Sequence, residues 1–428
     1  MVRFIKSAWL PTVIIAFAIL MRSYDFFQRG HDADMFFFNA RWARDLQRSG
    51  LFQLYFFTPD VNYPPIFLFI LAFSSWLVPP FIAGNVMPLE FVMITKFFSV
   101  AAEITVIGLI YFWIPKNTRL KWIVPLLLCV HPGLIATSAF WGQTDGLLTF
   151  FLVLATLALN RNQRYMSWVW FAVAMLMKFQ GIVLLPMVGI LSVRRFGILS
   201  TIGGILLGLG IFGLVYAPFI AGSGWDSAMH PFTTGAVDLN PVITGNAFNL
   251  WYVITPSIWT LLPTDLTYVP KDTALGFGGL TLKNIGLLML GGYVFIVAVS
   301  MWRQYVERRE FVWATGLYLA FFMLPTQIHE RYLYMAAALS VIAIVQDWRM
   351  WFIAPVLALS FTTNVLAVAG EHFYWFGLDL KTILYGSEVA TATFSLFCLI
   401  GLIWIVATKP QKAKNPDTRD IPLTLEAA

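Results

Sequence analysis

Two carboxylates stand two positions apart just beyond the first apolar segment of the chain. Asp32 and Asp34 lie in the sequence Gly-His-Asp-Ala-Asp-Met at residues 30–35. A carboxylate at the head of a loop can act as a general base or bind a divalent cation. In an extended segment both side chains would project to one side and could address one site. A solvated loop start is the alternative interpretation, and Asp25 offers a third carboxylate nearby.

Basic side chains in two further motifs could bind an anion such as phosphate. Lys178 stands in Met-Lys-Phe-Gln-Gly, and His329, Glu330 and Arg331 stand in His-Glu-Arg-Tyr. The planar guanidinium suits phosphate recognition, whereas the ammonium acts as a point charge. The competing interpretations are a lysine that extends its ammonium to the membrane boundary and a charged loop above a belt of aromatic residues.

Polar side chains also stand at the junction of two apolar runs, in the motif Trp-Gly-Gln-Thr-Asp. Gln143 and Asp145 follow Trp141 there, and Asn246 begins a second polar and aromatic motif, Asn-Ala-Phe-Asn-Leu-Trp. Polar groups at the membrane boundary are costly and are often functional. The alternative for the first motif is a helix cap, with Thr144 or Asp145 capping the following helix.

The elements that must position these residues are apolar and recur along the whole chain. Of the 428 residues, 59% are hydrophobic and only 12% are charged, whereas soluble proteins carry about 25% charged residues. Backbone groups in a bilayer must bond within their own segment, so repeated apolar stretches predict membrane-spanning helices. The net charge of +6 does not indicate nucleic-acid binding, because the cations lie in short loops between spans. The two cysteines lie in apolar runs and indicate neither disulfides nor a metal site.

The distribution of Lys and Arg predicts the orientation, because cytoplasmic loops are enriched in these residues. Clusters assigned to the cytoplasmic side are Arg3/Lys6, Lys116/Arg119/Lys121, Arg161/Arg164, Arg194/Arg195, Arg303/Arg308/Arg309, Arg349 and Lys409/Lys412/Lys414/Arg419. The predicted spans, about twelve in number, cover residues 7–22, 92–114, 121–139, 144–160, 165–177, 179–193, 197–220, 284–302, 311–326, 332–346, 350–368 and 387–407. Both termini are then cytoplasmic.

Two long external segments follow from this topology, within a single transmembrane domain at 1–408. The first external loop covers 23–91, and we expect it to carry short interfacial helices. Its apolar stretch 64–83 is predicted to be re-entrant or interfacial, since four prolines and a serine pair argue against one straight helix. The second loop covers 221–283, with an interfacial helix at 246–262. The tail 409–428 is polar and predicted to be disordered. All the motifs above then share the outer face.

The motifs occur in an order that is typical of one family. Along residues 7–350 they are Asp-Ala-Asp, Asn-Tyr-Pro-Pro, Trp-Gly-Gln-Thr-Asp, Met-Lys-Phe-Gln-Gly, Asn-Ala-Phe-Asn-Leu-Trp and His-Glu-Arg-Tyr-Leu-Tyr. The chain resembles the GT-C superfamily of integral membrane glycosyltransferases, in particular bacterial relatives of the glycosylphosphatidylinositol mannosyltransferases. The resemblance implies a bundle of about twelve helices with an external active site between the first loop and the membrane.

The resemblance also implies a reaction. A polyprenyl-phosphate-linked sugar, mannose or another hexose, would be the donor, and a saccharide or glycolipid hydroxyl would be the acceptor. Asp32 or Asp34 would take the hydroxyl proton while the polyprenyl phosphate leaves, with inversion at the anomeric carbon. The residues expected to stabilise the leaving phosphate are Arg331, His329 and Lys178. Those expected to bind substrate are Gln143, Asp145, Trp141, Asn246 and Glu330.

A metal ion is not favoured, because a monophosphate leaving group carries less charge than a nucleotide diphosphate; a divalent cation stays open. Trp141, Trp251 and Tyr252 are candidates for stacking on sugar rings or for membrane anchoring. The competing functions are a polysaccharide ligase or polymerase with a diphosphate-linked donor, and a transporter of lipid-linked saccharides. The lean loops favour a bacterial plasma membrane with the active site facing outside.

Overall fold

The structure is a computed structural model that is almost wholly helical. It describes residues 2–28, 30–31, 33–78, 88–233, 241–254, 272, 276–277, 279–369, 374–375, 378–379, 383–384 and 386–410. The α-helices are α1 (Val2–Phe26), α2 (Arg41–Ser49), α3 (Leu54–Phe57), α4 (Pro65–Leu77), α5 (Leu89–Trp113), α6 (Leu120–Cys129), α7 (Pro132–Ile135), α8 (Asp145–Asn160), α9 (Arg164–Met177), α10 (Leu185–Phe196), α11 (Ile198–Ser223), α12 (Trp225–Met229), α13 (Leu250–Ile254), α14 (Leu282–Gln304), α15 (Glu310–Met323), α16 (Tyr334–Ala343), α17 (Met350–Ala369) and α18 (Glu388–Ala407).

Shorter elements join these helices. Ala33–Ala40 and Ala136–Trp141 are π-helical, and Leu51–Gln53, Phe179–Leu184, His230–Phe232 and Glu330–Leu333 form 3-10 turns. Two antiparallel pairs of short strands complete the described chain: β1 (Gly276–Phe277) with β2 (Leu280–Thr281), and β3 (Tyr374–Trp375) with β4 (Leu378–Asp379).

Within the described residues, seven helices are long and apolar enough to cross a membrane. They are Trp9–Phe26, Leu89–Trp113, Phe179–Phe196, Ile198–Ser223, Leu282–Gln304, Met350–Ala369 and Glu388–Ala407, and the bent pair Leu120–Cys129 and Pro132–Trp141 makes an eighth. The chain is therefore an all-α, multi-pass membrane protein, as the sequence predicts. Every predicted span coincides with a helix or a helix pair, but the full count of about twelve stays a prediction.

The bend of 45° in the eighth candidate has a local cause. Pro132 lacks a backbone N–H and disfavours helical geometry in the residue before it, so His131 is extended, at φ −67° and ψ 107°. The imidazole of His131 then caps the next helix, because its Nδ1 accepts a hydrogen bond from the N–H of Leu134 at 3.3 Å.

The core of the bundle consists of helices that are too short to span a bilayer by themselves. Every residue of α16 is buried, and in α15 only Phe321 is partly exposed. The long helices keep more of their surface exposed; for α11, only 17% of its most apolar stretch is buried. A helix that is apolar on all sides belongs in a core or in lipid, and here protein covers the short helices while the long ones keep an open apolar face.

A buried ion pair joins the first two long helices. The guanidinium of Arg22 on α1 donates to the carboxylate of Glu103 on α5 at 2.7 Å, and the hydroxyl of Tyr334 donates to the same carboxylate. Arg22 also donates to the backbone oxygens of Leu128 and Cys129, at the end of α6. Both charges are therefore paired inside the bundle, as buried charges must be.

The apolar stretch of the first external loop is helical where it is described. Residues 65–77 form one continuous helix of 13 residues, while residues 79–83 lie outside the described residues, so the predicted re-entrant or interfacial course of 64–83 stays a prediction. Pro65 occupies the first turn, where a missing N–H costs nothing. The hydroxyls of Ser74 and Ser75 bond to carbonyls of the preceding turn, of Ile70 and Leu71, without interrupting the helix.

Two other predicted segments lie partly outside the described residues. Of the helix predicted at 246–262, residues 246–249 are not helical, Leu250–Ile254 form α13, and 255–262 are not described. The tail is described only to residue 410.

Candidate active site

Asp34 is held at the start of the first π-helical segment by a residue from a distant motif. The indole Nε1 of Trp141 donates to Asp34 Oδ2 at 2.5 Å. The ring of His31 stacks on Trp141, with centroids 4.6 Å apart, and its Nδ1 lies 3.8 Å from Asp34 Oδ2. The carboxylate is thus fixed by a charge-assisted hydrogen bond, which is shorter and stronger than a neutral one. Asp32 lies outside the described residues.

Two glycines with positive φ let these segments approach. Gly30 (φ +82°) and Gly142 (φ +90°) both face Met35, and a Cβ would lie 2.9 Å and 2.0 Å from its side chain. Glycine tolerates this left-handed backbone and leaves the space free. Because of this approach, the N–H of His31 donates to the backbone oxygen of Trp141 at 3.3 Å.

Lys178 and Asp145 form a buried ion pair. The backbone of Lys178 is extended between α9 and the 3-10 turn Phe179–Leu184, and its Nζ donates to Asp145 Oδ1 at 2.9 Å. Asp145 stands in the first turn of α8, and the Thr144 side chain makes no capping bond there. The capping alternative for Thr144 is therefore wrong, and Asp145 serves Lys178 instead. The rings of Tyr63 and Tyr332 lie 5.5 Å and 5.7 Å from the same ammonium.

Neighbouring charged and polar groups shift the pKa values of Lys178 and Glu330 towards their charged forms. Burial lowers the pKa of Lys178, but the Asp145 carboxylate and nearby phenols outweigh it and raise the pKa overall. Burial likewise opposes ionisation of Glu330, but the nearby imidazole of His329 and the charge of Arg331 lower its pKa to about 2. Lys178 and Glu330 are therefore charged at neutral pH.

Arg331 links the His-Glu-Arg motif to the first loop. Its Nη1 donates to Glu330 Oε1 at 2.9 Å, and His329 Nδ1 lies 3.8 Å from Glu330 Oε2. Burial acts to lower the pKa of Arg331, yet the carboxylates of Asp34 and Glu330 raise it well above its ordinary value. Asp34 is therefore close enough to Arg331 for a strong electrostatic interaction, although the two residues are far apart in sequence.

The remaining predicted residues frame this cluster. Gln143 Oε1 accepts a hydrogen bond from the Tyr63 hydroxyl at 3.4 Å. Asn246 has a left-handed backbone, at φ 66°, and bridges to His329. Its backbone oxygen accepts a hydrogen bond from the side-chain amide of Asn364 at 2.8 Å, which holds the backbone of Asn246 beside His329.

The three aromatic candidates are packed inside the protein. Trp141 is 2% exposed, and His31 covers one face of its ring. Trp251 is equally buried and donates its indole N–H to the backbone oxygen of Pro325 at 3.0 Å, while Tyr252 packs against Phe248. None of the three is an exposed membrane anchor, and stacking on a sugar stays a prediction.

A cavity of about 380 Å³ opens beside the cluster. Its polar lining comprises Asn62, Tyr63, Lys178, Gln180, Lys283, Thr326, Gln327, Arg331 and Tyr332. Its apolar lining includes Val183, Pro186, Leu287, Leu290, Val294 and Phe321. The apolar residues Val183 and Leu290 belong to two helices that are long enough to cross a membrane. Asp34 is not in the lining. Its connection to the cavity is its electrostatic interaction with Arg331, which does line the cavity.

Sequence reasoning missed several of these cavity residues. Tyr63 was named only as part of the Asn-Tyr-Pro-Pro motif, and Lys283 was not singled out. A lone lysine in the first turn of an apolar helix is a weak signal, yet it could have drawn attention to Lys283. Among the described residues, no group of three or more His, Cys, Asp or Glu side chains is arranged to hold a metal ion.

The fold and this site define a multi-pass helical membrane protein with a cavity whose lining combines cationic and apolar side chains. No protein-family model matches the chain, and no curated protein matches it. The function must therefore be argued from the site itself.

Proposed function

We propose that this protein is a glycosyltransferase of the GT-C type. It transfers one sugar, mannose or another hexose, from a polyprenyl-phosphate donor to the hydroxyl of a saccharide or glycolipid. The site faces the outside of a bacterial plasma membrane, and both termini are cytoplasmic. The family assignment rests on the resemblance of the motifs.

The observation that carries the proposal is the mixed lining of the cavity. Lys178 and Arg331 contribute cations, and Phe179–Phe196 and α14 contribute apolar side chains. A ligand that suits both kinds of lining has an anionic group joined to an apolar chain. A sugar linked through phosphate to a polyprenyl chain has this chemistry, and the chain can lie between the two helices.

The site residues supply the groups that this reaction needs. Asp34 or Asp32 accepts the proton of the attacking hydroxyl as the bond to the anomeric carbon forms. The bond from that carbon to the phosphate oxygen breaks, and Arg331, Lys178 and His329 stabilise the charge that develops on the phosphate. A single displacement inverts the anomeric centre. We propose no metal ion, since the leaving monophosphate carries less charge than a nucleotide diphosphate.

The other predicted residues act through these groups. Asp145 keeps Lys178 charged, Glu330 orients Arg331 and His329, and Trp141 fixes Asp34. Gln143 holds Tyr63 beside the cavity, and Asn246 supports His329.

The proposal is tested by a transfer assay on the purified protein in nanodiscs. Polyprenyl-phosphate mannose, glucose, galactose and arabinose are offered with a membrane lipid extract, and the release of free polyprenyl phosphate is measured. We expect release from one donor, with no loss in the presence of a chelator. Asp34→Asn or Asp32→Asn should abolish it, whereas Asp226→Asn, an exposed aspartate of the second loop, should not. Binding of the donors without release from any of them would refute the transferase.

A second candidate uses a diphosphate-linked donor, as a polysaccharide ligase or polymerase would. It is favoured by a third cation in the cavity lining, Lys283, beside Lys178 and Arg331. Release from a polyprenyl-diphosphate oligosaccharide, and from no monophosphate donor, would select it. Movement of either lipid across the bilayer without bond cleavage would select a transporter.

A further inference from the structure

Two side-chain amides in the cavity lining have an oxygen without a hydrogen-bond partner. Asn62 stands in Asn-Tyr-Pro-Pro and Gln180 in Met-Lys-Phe-Gln-Gly, and both line the cavity. Asn62 Oδ1 and Gln180 Oε1 are buried, and neither accepts a hydrogen bond from any described residue. Gln180 is only 5% exposed. A buried acceptor without a partner costs free energy, so a native structure that keeps two in one cavity calls for an explanation.

The positions of both amides are fixed by the surrounding structure. Asn62 precedes Tyr63, whose ring lies 5.5 Å from Lys178 Nζ, and Gln180 follows Lys178 by two residues. The backbone oxygen of Gln180 accepts a hydrogen bond from Tyr318 at 3.2 Å. At Gly181 a Cβ would lie 2.8 Å from the backbone of α9, so the 3-10 turn is packed against that helix. The amides therefore stay beside the cations.

The unpaired atoms of the cavity differ in kind. Arg331 Nε is a buried donor without a partner among the described residues, and it suits an oxygen of a phosphate. The amide oxygens of Asn62 and Gln180 are acceptors and need a donor. An ionised phosphate has only acceptors, and a polyprenyl chain has neither. A sugar hydroxyl is both donor and acceptor. It can therefore pair with a side-chain amide whether the amide presents its oxygen or, after a flip, its nitrogen.

We propose that Asn62 and Gln180 bind hydroxyl groups of the donor sugar, and so make the cavity selective for a hydroxylated hexose next to the phosphate. This inference rests on the proposed function, because it assigns the sugar-recognition residues of the same cavity. A site with buried polar groups rejects an analogue that lacks the matching hydroxyl, since those groups are then left unpaired.

The test measures binding, so that it does not depend on turnover. Polyprenyl phosphate with and without a hexose is titrated against the protein in nanodiscs. We expect the wild-type protein to bind the sugar-bearing lipid at least about tenfold more tightly. Gln180→Met and Asn62→Leu, which keep the side-chain volume and remove the amide, should each weaken only the sugar-bearing lipid, by about five- to tenfold. Gln180→Glu keeps an acceptor oxygen and should retain more of the preference.

A matched control is available in α2. Gln47 also has a buried oxygen without a partner in the described part of the chain, and its amide nitrogen donates to the backbone oxygen of Ser75 at 3.1 Å. Gln47 is not in the cavity lining, so Gln47→Met should leave both affinities unchanged. Donors that lack one hydroxyl add a second control. A deoxy donor that binds the wild-type protein more weakly than the full sugar does should bind the matching variant as tightly as the full sugar does, because the amide that recognised the hydroxyl is absent.

The outcomes separate this inference from the transferase itself. Equal affinity of the wild-type protein for both lipids, or variants that weaken both lipids alike, would overturn the sugar site even if transfer occurs. Variants that keep the wild-type preference for the sugar-bearing lipid would overturn the sugar site as well. Water would then be the hydrogen-bond partner of the two amides. Sugar-dependent binding that both variants abolish, without sugar release from any donor, would support the sugar site and refute the transferase.

Discussion

The ion pair between Lys178 and Asp145 allows structural and functional roles to be separated by mutation. The two side chains are 7% and 0% exposed, and Nζ lies 2.9 Å from Oδ1. Lys178→Met removes the charge and keeps most of the stem volume. Asp145 then stays as a buried carboxylate with no cation, and its Oδ2 already lacks a partner among the described residues. Removing one partner of a buried ion pair lowers the free energy of unfolding by about 3–5 kcal/mol, because the other charge stays buried without compensation.

A double variant removes this penalty. In Lys178→Met/Asp145→Leu neither charge is left, and replacement of a buried pair by apolar residues is often neutral. We expect the single variant to lower the apparent melting temperature by at least about 5 °C, and the double variant to regain most of it. Transfer activity should stay low in both, because the cation beside the leaving phosphate is absent; loss of one such stabilising group costs about 10²–10³ in kcat.

The assays are thermal unfolding in detergent and sugar release at saturating donor. A single variant that melts with the wild type would show that the ion pair is not buried as described. A double variant with wild-type kcat would refute the functional role, and Lys178 would then be a lysine that only extends toward the membrane boundary.

Three further predictions concern stability, each followed by melting temperature. Glu330 has a pKa lowered from 4.5 to about 2, so its contribution to stability is complete above about pH 4.5 and is lost as the pH falls towards 2. The melting temperature of Glu330→Gln should therefore fall less than that of the wild type over this pH range, and an equal fall in both proteins would contradict the prediction. Glu103→Ala leaves Arg22 buried without its carboxylate and should cost about 3–5 kcal/mol, with replacement of both by leucine recovering most of it; a silent single variant would rule out the pair. Gly146→Ala places a methyl 2.7 Å from a serine hydroxyl on α5 and should cost about 1–3 kcal/mol, whereas Gly210→Ala, with open space around it, should not destabilise; equal effects would refute the packing argument.

The helical class and the position of each long helix follow from the sequence alone. Apolar runs such as 197–220 and 387–407 must be α-helical in a bilayer, because their backbone groups can form hydrogen bonds only within the segment. The bend at Pro132 was not predicted, because residues 121–139 were expected to form one span. The motif residues Asp34, Trp141, Lys178 and Arg331 were also chosen from residue type and boundary position.

The lengths of the inner helices and the continuity of α4 were less predictable. The spans expected at 311–326 and 332–346 contain α15 and α16, which are shorter because protein surrounds them instead of lipid. In α4, Pro65 stands in the first turn, and serine hydroxyls bond to carbonyls within the helix, so neither residue interrupts it between 65 and 77.

Only the tertiary structure decided which side chains meet. The sequence could place Lys178 and Asp145 at the same boundary, but not pair them, and it gave no reason to choose Asn62 or Gln180. Pairing depends on how each helix is rotated about its axis and on which neighbour it packs against. Those are properties of the whole bundle, whereas hydropathy and local spacing act within one segment. The sequence by itself therefore determined a helical membrane protein with its polar motifs at span boundaries, and packing determined the cavity that joins them.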